Sequence, residues 1–180
     1  MTESDVNDGG TSAAVAALQE RWGAQIELCE VNDGQWRVEL AEREPLLDMV
    51  TFLKDDPQLK FDFLVDVTGL DEYGSEPRFR AVYVLRSMTQ NEDIVLKVKV
   101  PEDDIWAPSL TGMFMTADWL EREAYDMFGI EFRGHPDMRR ILMPEIFEDY
   151  PLRKDFPMEG TMTDQEWAQW VIERAQRVEE

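Results

Sequence analysis

The chain has 180 residues, 43% of them hydrophobic, and a formal net charge of −21 at pH 7. This length supports one domain with a hydrophobic core, and the apolar content excludes general disorder. The charge argues against nucleic acid and anionic membrane surfaces as partners, because both attract basic protein surfaces. The single cysteine, Cys29, excludes an internal disulfide framework and a metal centre built from several thiolates. We expect Cys29 to be a buried, inert thiol.

Nothing in the sequence predicts a membrane span or a targeting segment. No apolar run approaches the ~20 residues that cross a bilayer, and the N-terminus lacks a hydrophobic signal core. We therefore expect a soluble cytoplasmic chain that reaches a membrane only through other chains. Residues 1–10 are polar and acidic and end in Gly-Gly, which predicts a mobile terminus.

Two helices are predicted in the first third of the chain. Thr11 or Ser12 is placed to cap a helix that runs through Gln19–Arg21 and ends at Gly23. Apolar residues at helical spacing predict a second helix over Glu44–Lys54, with a proline in its first turn.

Alternating apolar and polar residues predict about five strands. Two of them flank an Asn-Asp-Gly turn at 32–34 and form a hairpin. In the first of the later runs, four apolar residues are expected to share one face: Phe61, Phe63, Val65 and Val67. Short turns join the later runs and predict an antiparallel meander of three strands: Phe61–Leu70, Arg78–Arg86 and Ile94–Val100. Two helices on one face of a mostly antiparallel sheet make an α+β two-layer sandwich over residues 11–112.

The segment 113–162 begins as a helix and then loses its periodicity. Thr116 is placed to cap the helix, which runs to Phe128 and is ended by Gly129. From Arg133 onward, turns, prolines and charges alternate with short apolar runs. An irregular segment of this kind is better suited to an extended docking arm on another surface than to a core.

The flanks of this segment have simpler patterns. Pro101–Gly112 is predicted to be a linker with Trp106 as its anchor. At the other end, Thr163 and Glu166 have the spacing of a capping box and predict a C-terminal helix over 163–180.

The single histidine is the first candidate for chemistry. His135 lies in a Gly-His-Pro turn, and Asp126 or Asp137 is close enough in sequence to orient it as a general base. The competing interpretation is a hydrogen bond that fixes a loop. We favour that second interpretation, because no serine or cysteine nucleophile stands in a recognisable setting.

Carboxylates and arginines of the same region allow further interpretations. Glu121, Glu123 and Asp126 are expected to form an acidic helix face, which suits acid–base or metal chemistry but more often is solvated or pairs with arginines. The basic pairs Arg139-Arg140 and Arg153-Lys154 lack a Gly-rich phosphate cradle. Because arginine is enriched at the centres of protein interfaces, we favour an interface over internal ion pairing for these basic residues.

The apolar content of the segment supports the same interpretation. Four prolines stiffen it and lower the entropy cost of docking: Pro136, Pro144, Pro151 and Pro157. Left exposed, its apolar residues would form a patch of the size that marks a binding site: Phe128, Ile130, Phe132, Ile141, Leu142, Met143, Ile146, Phe147, Tyr150, Leu152 and Phe156.

A long ordered motif lies in this segment: ERE-x-YD-x-FG-x-x-F-x-GHP-x-x-RRIL, followed by YPLRKDFP. It resembles the signature of the thirty-kilodalton subunit of respiratory complex I, known in bacteria as the C-subunit, in its unfused form. The positions that carry the resemblance, and that it implies hold a subunit interface, are Glu121, Arg122, Glu123, Tyr125, Asp126, Phe128, Gly129, Phe132, Gly134, His135, Pro136, Arg139, Arg140, Pro151, Leu152, Arg153, Lys154, Asp155 and Pro157.

The resemblance implies a function that the residues alone do not reach. It implies a non-catalytic scaffold subunit in the peripheral arm of a proton-translocating NADH:quinone oxidoreductase. Members of this family contact the forty-nine-kilodalton subunit and hold no cofactor or metal of their own, since FMN and the iron–sulfur clusters belong to partner subunits. They are held on the cytoplasmic side of the bacterial cell membrane as part of a hetero-oligomeric complex.

Two alternatives stay open on the sequence. The chain could be the equivalent subunit of a related membrane-bound hydrogenase or of a dehydrogenase with another electron donor. It could also be a free-standing acidic enzyme that uses His135 and Asp126.

Overall fold

The computed structural model describes residues 12–32 and 34–177 of the chain. The predictions for the N-terminal residues 1–11, for Asp33 in the hairpin turn and for the end of the last helix at 178–180 lie outside the described residues. Within the described residues the elements are α1 (Ala13–Trp22), β1 (Ile26–Asn32), β2 (Gln35–Leu40), α2 (Leu46–Asp55), β3 (Phe63–Asp71), β4 (Phe79–Ser87), β5 (Glu92–Val100), β6 (Trp106–Pro108), α3 (Ala117–Phe128), β7 (Glu131–Arg133) and α4 (Asp164–Arg177).

The five long strands form one sheet in the order β1-β2-β5-β4-β3. β1 and β2 pair antiparallel, and β3, β4 and β5 make the predicted antiparallel meander. The two units join through a parallel pairing of β2 with β5, in which Trp36 lies opposite Ile94. The α+β fold with a mostly antiparallel sheet is therefore confirmed.

The core lies between the sheet and the helices. Leu18 of α1 and Leu53 of α2 are fully buried, as are Tyr83 of β4 and Leu96 of β5. Ser12 caps α1, because its Oγ accepts hydrogen bonds from two free backbone N–H groups of the first turn. The apolar periodicity of the sequence thus places these helices on the sheet as expected.

One strand presents its residues differently from the prediction. Phe63 and Val65 were expected to share one face with Phe61 and Val67, but they are 48% and 43% exposed, whereas Leu64 and Val67 are 2% exposed. The pairing of β3 with β4 shifts by one residue between Leu64 and Asp66. This bulge exchanges the two faces of the strand, since side chains alternate with a period of two.

The segment predicted to be a linker contributes to a second sheet. β6 pairs in parallel with β7, and Trp106 lies opposite Glu131. The indole ring of Trp106 lies under two guanidinium groups, with ring-to-Cζ distances of 4.1 Å for Arg43 and 4.2 Å for Arg133. Trp106 therefore anchors this segment as expected, but the segment is a strand that fixes the residues after α3 to the domain.

Helix α3 packs directly on β3. Gly69 makes this approach possible, because a Cβ atom there would lie 2.6 Å from Cδ2 of Phe128. The predicted cap at Thr116 is wrong, since its backbone is already helical and its side chain makes no capping hydrogen bond. Residues on both sides of the predicted boundary at 112 share one hydrophobic core, so the division into 11–112, 113–162 and 163–180 stays a prediction about sequence segments.

Candidate interface site

Two of the four carboxylates of α3 lie inside the molecule. Glu121 and Asp126 are 0% exposed, whereas the side chain of Asp118 is 44% exposed and Glu123 is exposed. Glu121 falls on the same stripe of the helix as Ala117, Ala124 and Phe128, which faces the core. The three carboxylates therefore do not form one solvated acidic face, and Asp126 instead pairs with Arg140, as the alternative interpretation predicted.

Asp126 fixes the backbone of the residues after β7. Its Oδ2 accepts hydrogen bonds from the N–H groups of Ile141, Leu142 and Met143 at 3.1, 2.7 and 2.8 Å. Its Oδ1 accepts one from Arg140 at 2.7 Å. Burial raises the pKa of Asp126, but these hydrogen bonds together outweigh burial and hold the pKa below its ordinary value. The carboxylate supplies the partners that a helix or strand would otherwise give to these N–H groups.

A second buried node joins the end of the same segment to the sheet. Arg78 donates to Asp71 at 2.8 and 2.9 Å, to Glu102 at 2.7 Å and to Asp155 at 2.8 Å. The N–H of Lys154 donates to Asp71 at 2.8 Å. The Arg78 guanidinium lowers the pKa of Asp71 and of Asp155, and these carboxylates raise the pKa of Arg78. Sequence reasoning missed this node because Arg78 was placed only as the first residue of the predicted strand Arg78–Arg86, with no role for its charge. The one signal was its position beside Phe79, which is fully buried.

The left-handed residue at the end of α3 forms a third contact. Gly129 has φ of +78°, and a Cβ atom there would lie 2.7 Å from the ring of Tyr150. Nε of Arg153 donates to the carbonyl of Phe128 at 2.7 Å, and the Arg153 guanidinium lies 4.3 Å from the Tyr150 ring centroid. The YPLRKDFP run is thereby held against its own domain.

Residues 134–162, here called the arm, contain no helix or strand. The extended irregular segment is thus confirmed, but the expectation that its apolar and basic residues lie free for another surface is wrong in part. Phe147 is 7% exposed, and Arg140 and Arg153 bind within the chain. Hydrogen bonds to buried groups hold the arm on the domain, and the sequence of the arm has no apolar periodicity that would predict this.

The candidate residues divide by exposure into three groups. Buried are Glu121, Asp126, Phe128 and Phe132; half-buried are Arg122, Tyr125, Gly129, His135, Arg140, Pro151 and Arg153; exposed are Glu123, Gly134, Pro136, Arg139, Leu152, Lys154, Asp155 and Pro157. The buried members hold the domain together, and the side chain of His135 is also 0% exposed. The other residues of the remaining two groups are accessible to a partner.

Both ring nitrogens of the single histidine form hydrogen bonds with backbone groups. The side chain of His135 is 0% exposed, and its Nδ1 accepts a hydrogen bond from the N–H of Asp137 at 3.0 Å. This leaves Nε2 as the protonated nitrogen, which donates to the carbonyl of Asp118 at 3.1 Å. None of these hydrogen bonds links His135 to Asp126, so the structure does not assemble the acid–base pair considered for a free-standing enzyme.

Among the buried carboxylates of the described residues, Asp71, Glu121 and Asp126, only Glu121 lacks a cationic hydrogen-bond partner. Its Oε1 accepts from the N–H of Leu110 at 2.6 Å, and its buried Oε2 has no hydrogen-bond partner there. Burial raises the pKa of Glu121 to about 7, while the neighbouring Ser109 and Leu110 oppose part of that rise. The group therefore carries a proton over part of the neutral pH range.

The described residues offer little for binding a metal or crossing a bilayer. Over 12–32 and 34–177, no group of three or more His, Cys, Asp or Glu side chains could hold a metal ion. Cys29 is half-buried in β1, and burial raises the pKa of its thiol. In the same part of the chain, every helix is too short or too polar to span a membrane.

Comparisons with known proteins agree on one family. A family model described as the 30 Kd subunit of respiratory-chain NADH dehydrogenase matches residues 40–162. The NADH-quinone oxidoreductase C-subunit of Roseiflexus sp. (strain RS-1) is 45% identical over 146 residues, covering 79% of this chain and 84% of that protein. The first of the corresponding C-subunits of Rhizobium meliloti (strain 1021) is 50% identical over 143 residues, covering 79% and 70%.

A solved structure extends the agreement to the fold. The trypsin-resistant fragment (1–134) of Nqo5 is 34% identical and superposes with a TM-score of 0.59, covering 68% of this chain and 96% of the fragment. The match covers most of the length of both relatives and of the fragment.

Proposed function

The chain belongs to the family of the 30 Kd subunit of respiratory-chain NADH dehydrogenase, and we propose that it is a non-catalytic scaffold of the peripheral arm of a proton-translocating NADH:quinone oxidoreductase. Membership of this oxidoreductase complex rests on the C-subunit relatives at 45% and 50% identity. A scaffold role is supported by one observation above all: both candidate catalytic residues make structural hydrogen bonds. Asp126 binds the backbone of the arm, and His135 binds Asp118 and Asp137.

The scaffold surface proposed here is the outward side of α3 and the arm. Arg139 is exposed there, and so are the apolar side chains of Leu142, Ile146 and Leu152, at 59%, 44% and 53%. Exposed apolar groups beside arginine are the composition of a protein interface, because aromatic, aliphatic and guanidinium groups bury large area with few unpaired charges. We assign this surface to contact with the forty-nine-kilodalton subunit and neighbouring subunits.

The cofactors of the reaction fit partner subunits better than this chain. An iron–sulfur cluster needs about four thiolate or imidazole ligands, and the whole sequence holds one cysteine and one histidine. The clusters are therefore assigned to the partners, as is the FMN that the family resemblance implies, and this chain is assigned to their spatial arrangement on the cytoplasmic side of the membrane. Its own contribution to turnover is the integrity of the complex.

The test is capture of the tagged full-length chain from its native membrane in mild detergent, followed by mass spectrometry and a quinone-reduction assay. We expect cluster-bearing chains and NADH-driven quinone reduction in the captured material. Capture with hydrogen or another donor driving the reduction would move the chain to a related assembly. Recovery of a lone chain would refute the scaffold role.

A further inference from the structure

We propose that a pocket beside α3 receives the carboxylate of an Asp or Glu side chain from a partner subunit. The inference rests on the proposed function, because it requires a partner chain, and it adds the position and chemistry of one contact. The pocket has a volume of about 370 Å³. Six residues line it and define the arginine pocket: Arg122, Tyr125, Met138, Arg139, Arg140 and Glu145.

The three guanidinium groups are held in place from within the chain. Nε of Arg122 donates to the carbonyl of Arg139 at 3.0 Å, and Nη1 of Arg140 donates to the buried Asp126. Arg139 binds Asp137 through Nε and Nη2. Side chains fixed in advance lose less entropy when a partner binds, so Arg122 and Arg140 are preorganised for an incoming group, whereas Arg139 is held only by an exposed ion pair.

Each guanidinium keeps donors that these contacts do not use. In the hydrogen bonds of the described residues, Arg122 uses only Nε, Arg139 leaves Nη1 unused and Arg140 leaves Nη2 unused. Unused N–H groups on planar forks match the two oxygens of a carboxylate in geometry and charge. The exposed Arg139–Asp137 pair, with side chains 70% and 51% exposed, is a weak competitor for such a ligand.

The charge of the surroundings selects the kind of anion. Three guanidinium groups and one carboxylate, Glu145, line the arginine pocket, and Asp118, Asp126 and Asp137 each pair with one of these guanidinium groups. The formal net charge of the chain is −21. That net charge repels polyanions such as a nucleic acid or an anionic lipid surface at long range. A single carboxylate on another protein acts over a few ångströms, where it meets the unused N–H groups of the guanidinium groups directly and salt screens the more distant charges.

Exposed apolar groups beside the arginine pocket supply the remainder of a docking surface. The Trp119 side chain is 64% exposed, and its ring centroid lies 5.0 Å from Cζ of Arg122. Leu142, two residues beyond Arg140, is 59% exposed. A partner that covers these side chains removes water from the arginine pocket, which strengthens the charge-assisted hydrogen bonds inside it.

The first test locates the occupant in the assembled complex. A photoreactive residue replaces Met138 in the full-length chain, and the same replacement at the exposed Met88 serves as control. We expect the Met138 probe to link to a partner peptide with Asp or Glu at or next to the linked position. A link to lipid, to a peptide without a carboxylate, or to nothing would overturn the inference. Capture of the complex with the Met88 variant shows in the same experiment whether the proposed function itself stands.

The second test reverses the charge. Arg139→Glu should weaken retention of the chain in the complex at least tenfold, whereas Arg139→Lys should cost less and the α1 variant Arg21→Glu should have no effect. Exchange of the cross-linked partner carboxylate for arginine should restore retention of the Arg139→Glu chain. Equal retention of Arg139→Glu and Arg21→Glu, or a failure of the charge exchange to rescue, would contradict a carboxylate in the arginine pocket.

Discussion

The sheet and the arm reach a fixed structure by different physical routes. In the sheet, apolar side chains at regular spacing bury against α1 and α2, and strands pair their backbone groups with those of a neighbour. In the arm, no ladder exists, and two buried carboxylates, Asp126 and Asp71, take over the backbone N–H groups. The difference teaches that a segment without periodicity can be an integral part of a domain when side chains satisfy its backbone.

The largest loss of stability should follow from removing Arg78, which joins the arm to the sheet. Arg78→Ala leaves the Asp71 carboxylate buried without its cation, and loss of one partner of a buried ion pair costs about 3–5 kcal/mol. Urea unfolding of the full chain measures this loss. Arg86→Ala, which removes a partly exposed pair with Asp93, is the matched control and should cost under about 1 kcal/mol. Equal losses in the two variants would show that the Arg78 node does not bind the arm.

The next effect should be local to the arm. Asp126→Ala deprives Arg140 and three backbone N–H groups of their acceptor, and we expect a cost of about 2–4 kcal/mol with early proteolysis between 138 and 145. Glu123→Ala on the same helix is exposed and should change neither the stability nor the cleavage pattern. Identical protease sensitivity of the two variants would contradict the role given to Asp126.

The pH dependence of stability separates Glu121 from the other buried carboxylates. Its folded pKa of about 7 lies above the ordinary 4.5, so its contribution to stability is complete below about pH 4.5 and is lost as pH rises through 7. The loss is on the order of 3 kcal/mol. Relative to the unmodified chain, Glu121→Gln should gain stability between pH 5 and pH 8. Parallel stability curves for the two proteins over that range would refute a buried, protonated Glu121.

The smallest effect should arise where the arm crosses the end of α3. Gly129→Ala places a Cβ atom against Tyr150 at a left-handed φ, and we expect a cost of about 1–2 kcal/mol. Gly160→Ala, also at positive φ but with nothing near its Cβ, should lose only the backbone part of that cost. Thermal unfolding compares the two, and equal shifts would show that packing of Tyr150 on Gly129 adds nothing.

The fold was predictable where the spacing of apolar residues alone determines the secondary structure. The apolar alternation of β4, with Tyr83 buried, and the helical spacing of α2 gave the right elements and faces. The bulge in β3 was not predictable, because no residue type marks a one-residue shift of register. The identity of the family was readable from the long motif, whose order few other sequences would share.

The local roles within that motif were harder to predict. In the sequence, nothing distinguishes Glu121 and Asp126 from surface charges, because their burial depends on the packing of α3 on β3. Arg78 is 77 residues from Asp155, and Asp71 is 83 residues from Lys154. Contacts at such separation depend on the complete three-dimensional arrangement, which no local pattern encodes. The interface role of the exposed motif residues remains a prediction.

Hydrogen–deuterium exchange of the isolated full-length chain is the most direct test of whether the arm is folded onto its own domain. Intramolecular hydrogen bonds predict that the amides of Ile141, Leu142, Met143 and Lys154 exchange much more slowly than free amides, before any partner is present. Exchange of these four amides at the unprotected rate, with protection only after assembly into the complex, would contradict the claim and would show that the partner folds the arm.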